Sequence, residues 1–135
     1  MRIRFILAPA LLGFLILTLL VACGSTSTTT STEKQQSASD NEVHMTTNDF
    51  VQKSITIHKG ESITLIADNA VPHYISNGTW NNGSAKPKAE AGAPTANNIT
   101  INGNSTGKLG PFNTSGTFQF YCTIHPGMNL TVIVQ

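Results

Sequence analysis

Arginine is confined to Arg2 and Arg4, and the chain of 135 residues holds eight basic side chains against seven acidic ones. So weak a charge excludes a nucleic-acid binder, which needs a basic face, and a polybasic membrane patch. Cysteine is equally scarce: only Cys23 and Cys122 are present. Beyond the first 22 residues no segment carries the period of an amphipathic helix, which excludes a helix-built core.

Long apolar runs are missing too, with one exception. MRIRFILAPALLGFLILTLLVAC sets two arginines before a nearly unbroken apolar stretch, the pattern of a signal peptide over residues 1–22. The run approaches the roughly 20 residues of a spanning helix. Cleavage is favoured by Leu20-Val21-Ala22-Cys23-Gly24, which resembles the lipobox of bacterial lipoproteins. That resemblance implies diacylglycerol on Cys23 and a protein held at the outer face of the cytoplasmic membrane. Residues 23–41 include eight consecutive Ser or Thr from Ser25 to Thr32. They cannot bury enough apolar surface to offset chain entropy and read as a disordered tether.

The folded domain is expected over residues 42–135. A domain so small is marginal on core burial alone and often carries a staple. If Cys23 is lipidated, Cys122 has no disulfide partner. A lone thiol in an exported, oxidising compartment calls for something to occupy it.

Short β-rich runs separated by turn residues fill this domain. In SITIHKGESITLIADN, alternating apolar residues flank Lys59-Gly60, giving two strands that either pair or diverge into different sheets. HYISNG, NITING, TGKLGPFNTSGTFQFYC and MNLTVIVQ supply the others, while residues 80–98 read as a long loop. The expectation is an all-β, two-sheet antiparallel Greek-key sandwich of about seven or eight strands. Within GTFQFYC, a period of two puts Phe118, Phe120 and Cys122 on the core face and turns Tyr121 outward.

Cys122 is followed by His125 and Met128 at intervals of three, and Pro126-Gly127 supplies the turn that brings Met128 back. A thiolate and two imidazoles with a weak thioether form the blue-copper donor set. The loop offers one imidazole, so another must come from elsewhere. His44 and His58 lie in polar strand contexts and read as surface residues. His73 follows a proline that keeps its approach extended, and a bond from it to the loop would staple distant strands.

DNAVPHYISNG together with GTFQFYCTIHPGM resembles the cupredoxins, small blue copper proteins of the plastocyanin and amicyanin group. The likeness extends over residues 42–135. It implies one type 1 copper ion held by His73, Cys122, His125 and Met128, with the short Cys-x₂-His-x₂-Met loop of amicyanin. Two departures stand out. Tyr74 occupies the place where plastocyanins have an asparagine that clasps the cysteine loop, so a clasp to Thr123 must be made differently. Tyr74 N–H remains able to donate to the Cys122 sulfur. Ile124 stands where the group has proline, restoring a second N–H for that sulfur.

Four protein ligands leave no open position for a substrate, so the expected function is one-electron shuttling without turnover. Tyr121 and Thr123 flank the cysteine where a multicopper oxidase needs histidines, and no second cysteine is near enough for a dinuclear centre. Pro72, Pro111, Phe112, Pro126 and Gly127 are expected to form an apolar patch around His125 for brief docking of redox partners by a monomer. Tyr121 reads either as a second electron route, by resemblance to plastocyanins, or as a surface residue, and Trp80 as a lid over loop and core. Copper storage or resistance and a metal-free tethered interaction module are the competing readings.

Overall fold

The computed structural model describes residues 41–135. The expected signal peptide, and the tether up to residue 40, lie outside them. The described residues form nine strands: β1 (Glu42–Met45), β2 (Ser54–Ile57), β3 (Ile63–Ala67), β4 (His73–Asn81), β5 (Ser84–Pro87), β6 (Ile99–Ile101), β7 (Thr106–Leu109), β8 (Gly116–Cys122) and β9 (Asn129–Val134). Among the described residues no helix is long and apolar enough to cross a membrane.

The strands make two sheets. The smaller is ordered β1-β3-β7; the larger is β2-β9-β8-β4, with β6 and β5 sharing the far edge of β4. The two strands around Lys59-Gly60 therefore diverge, β2 into one sheet and β3 into the other. Most pairings are antiparallel as expected, but β1 runs parallel to β3 and β2 parallel to β9. Their partners lie across the turn or far along the chain, so local alternation carries no sign of their direction.

Alternation does set the core. Val43 and Met45, Ile63 and Leu65, Phe118 and Phe120, and Leu130 and Val132 are all buried between the sheets. Each fully buried side chain of this size contributes about 1.5–3 kcal/mol by leaving water. Phe112, expected in the surface patch, is fully buried and packs against Phe118 and Phe120 at ring distances of 5.9 and 5.8 Å. Its apolar surface is worth more in the core than on a docking face.

Residues 80–98 depart furthest from the loop expected there. β4 continues to Asn81 and folds into β5 through Asn82-Gly83, both with positive φ (48° and 74°), the Asn-Gly signature of a two-residue hairpin. The rest of the segment is organised by Asn77. Its side chain donates to Pro94 C=O at 3.1 Å and accepts from Ala96 N–H at 2.7 Å. Its backbone bonds Ala96 C=O and Lys88 N–H at 3.0 and 3.2 Å.

Gly78 lets β5 lie close against β4. Its φ is +127°, and a Cβ there would collide with the backbone of Lys86, Pro87 and Lys88. Gly78→Ala is expected to cost about 2–3 kcal/mol of stability, read by thermal unfolding.

Candidate metal centre

The register between β4 and β8 builds the site. Ile75 lies opposite Cys122, so His73, two residues earlier on β4, shares the inward face at the same end of the sandwich. The β8–β9 loop then folds His125 over both. The donor atoms of His73, Cys122 and His125 all lie within 4.8 Å of one another. The two imidazoles approach at 62° with centroids 4.9 Å apart.

The loop that carries His125 is closed on itself. Cys122 N–H donates to Met128 C=O at 3.0 Å, and Met128 N–H to His125 C=O at 3.1 Å. Met128 is fully buried at the foot of this turn, and Cys122 is a free, fully buried thiol. Its sulfur lies 3.3 Å from Nδ1 of His125 and accepts Tyr74 N–H at 3.5 Å. Among the described residues Tyr74 is the one backbone donor to that sulfur; the second bond expected from Ile124 does not form. The turn places Ile124 at the surface, 48% exposed.

The clasp that Tyr74 cannot make comes from Asn98, a residue the sequence reasoning missed. Asn98 Oδ1 accepts the hydroxyls of Thr123 at 3.1 Å and Ser76 at 3.3 Å, and its N–H donates to Ser76 Oγ at 2.8 Å. It sits at φ 52°, a left-handed conformation in which asparagine is enriched. Thr123 N–H also donates to Tyr74 C=O at 2.8 Å. The ligand loop is thus tied at Thr123 both to β4 and to the segment that precedes β6.

His73 is the anomaly that points to a metal. It is fully buried, and among the described residues neither ring nitrogen has a hydrogen-bond partner. An unpaired buried polar group is costly, and here two such atoms share a pocket with a free thiol and a second imidazole. That donor set fits a late transition metal, with softness supplied by sulfur. The other two histidines sit apart: His44 pairs with Asp68 at 2.7 Å on the surface, and His58 is exposed.

Burial holds the His73 pKa below its ordinary value, and the charge of His125 adds to this; the backbone of Thr46, outside hydrogen-bond geometry, opposes both. The unfolded chain therefore binds a proton at this residue more readily than the folded one. Metal-free stability should be complete above about pH 6.5 and decline as pH falls from there toward the folded pKa. Urea unfolding should show a lower midpoint at about pH 5.5 than at about pH 7.5. His73→Phe should flatten that difference.

Tyr121 points away from the core as alternation requires, yet it is only 4% exposed. Trp80 covers it edge-on at 5.9 Å and 87°. The expectation of a surface tyrosine fails because the β4–β5 hairpin, unseen in the sequence, brings Trp80 across β8. Trp80 is thus a lid over this outer face and not over the core as expected.

Among curated proteins no sequence matches significantly. Solved structures do match. Amicyanin from Paracoccus versutus (Thiobacillus versutus) superposes with a TM-score of 0.55 at 20% identity, over 73% of this chain and 84% of that one. A purple cupredoxin from Nitrosopumilus maritimus gives 0.55 at 20% identity, over 71% and 100%. At such identities the likeness is one of fold. The profile of the family described as "Copper binding proteins, plastocyanin/azurin family" matches residues 35–135. That match spans most of the chain and both segments that converge on the buried imidazole and thiol, and the chain accordingly belongs to the plastocyanin/azurin family of copper-binding proteins.

Proposed function

We propose that the protein is a mononuclear type 1 copper protein that passes single electrons between redox partners at the outer face of the cell membrane. His73, Cys122 and His125 would hold the ion, with Met128 as a weak thioether donor. When bound, copper supplies a one-electron Cu(I)/Cu(II) couple. The reading is carried by His73, whose two buried ring nitrogens lack any protein partner beside a free thiol.

The residues around the site suit this task. Tyr74 N–H and the loop's internal bonds hold the sulfur and His125 in place before any ligand arrives, so a change of oxidation state would require little movement. His125 is half-buried on the loop, and exposed Ile124, Pro126 and Gly127 surround it without a charged side chain. Such a face favours small, brief contacts with redox partners. Residues 1–22 as a signal, lipid on Cys23 and the tether to residue 41 would keep the 42–135 domain at the membrane. No part of the site calls for substrate turnover, and we read the protein as a monomeric carrier.

One titration tests this. Adding Cu(II) to the purified protein should produce an intense visible thiolate-to-copper band at one equivalent, bleached reversibly by ascorbate. A colourless adduct would favour copper storage, and no uptake would favour a metal-free interaction module.

A further inference from the structure

Residues 78–87, the turn end of the β4–β5 hairpin, contribute nothing to the proposed ligand set, yet they are fastened to both ends of the loop that carries three of its members. All of these ties run through one residue. Trp80 Nε1–H donates to Cys122 C=O at 2.8 Å. Trp80 N–H donates to Asn129 Oδ1 at 2.7 Å, and Asn129 Nδ2 donates back to Trp80 C=O at 3.0 Å. Asn129 directly follows Met128, so its side-chain amide imitates one rung of a strand pairing at the loop's far end. The indole also closes over Tyr121, next to the cysteine.

We propose that Trp80 is a positioning residue: with Asn129 it clamps the two ends of the Cys122–Met128 loop and so sets the donor geometry and redox behaviour of the site. This rests on the copper reading above. Between the clamped ends, the loop is otherwise tied to the body through Thr123, on Tyr74 and Asn98, and through the Cys122 sulfur on Tyr74. A site held to a fraction of an ångström needs such outer support. The indole N–H also draws charge from the peptide that adjoins the thiolate, which favours the reduced state.

The test uses the full chain. Trp80→Phe keeps a ring over Tyr121 and removes the N–H; Asn129→Ala removes the other tie, and Asn129→Asp keeps its acceptor. In the metal-free protein, the hydrogen-bonded amides of Cys122, Thr123 and Met128 should exchange about fivefold faster in the first two variants, with Leu65 on β3 unchanged. Copper-loaded Trp80→Phe should show a lower reduction potential and a shifted visible band, with Asn129→Asp closer to the wild type than Asn129→Ala. Wild-type loop exchange and potential in both Trp80→Phe and Asn129→Ala would overturn the proposal, as would exchange that accelerates equally in β3. If Trp80→Phe fails to fold, Asn129→Ala decides alone. A wild type that never shows the charge-transfer band would sink the copper reading, while exchange in the metal-free chain would still decide whether the clamp exists.

Discussion

Cys122→Ser is expected to abolish the visible band of the copper-loaded protein and weaken copper binding by more than about 100-fold. Losing a partner outside the ligand set typically costs about 10–100-fold in metal affinity, and removing the one thiolate should exceed that. A serine hydroxyl does not ionise near neutral pH and offers hard oxygen where a soft donor is required. The same substitution should cost the metal-free protein only about 1 kcal/mol, because Tyr74 N–H can donate to oxygen as it does to sulfur. Titration against a competing chelator, followed in the visible, checks the first part; thermal unfolding checks the second. A serine variant that kept the band would remove Cys122 from the ligand set.

Copper should also raise the melting temperature by a large margin. A ligand that binds only the folded state, at about 1,000 times its Kd, adds about 4.1 kcal/mol. For a domain of this size each kcal/mol moves Tm by about 4–8 °C, so the shift should reach roughly 15–30 °C. Two features support so large an effect. The ion would satisfy one of the two orphan nitrogens of His73, and it would join β4 to the β8–β9 loop across a long stretch of chain. Calorimetry with and without one equivalent of copper, followed by chelation, measures it. An unchanged Tm would mean that the pocket does not close on the metal.

How far the sequence could be read depended on whether a feature was local. The alternation of Phe118, Phe120 and Cys122 specified their common inward face without reference to other strands, and the structure buries all three. The meeting of His73 with Cys122 and His125 was legible because the loop lacked one imidazole and few candidates remained. The parallel pairing of β2 with β9 was not, since its partners are separated by most of the domain. The hairpin was a different failure. Asn82-Gly83 is a strong turn signal, but the Gly, Pro and Asn content of residues 80–98 masked it. With the hairpin went the burial of Tyr121 and the roles of Trp80, Asn98 and Asn129, since side-chain bonds between remote segments leave no periodic trace. Phe112 was misplaced by its neighbour Pro111, which is exposed while the ring turns inward.

The position of β9 between β2 and β8 governs how this protein comes into being. β9 leaves the ribosome after both of its neighbours, so the larger sheet has an empty centre until residue 134 has been made. Assembly must then wait for synthesis of the whole domain and depends on contacts remote in sequence, a topology that folds slowly. On the proposed ligand set, metal capture would come at the close of that process, because Cys122 ends β8 and His125 lies on the connection to β9, while His73 was made far earlier.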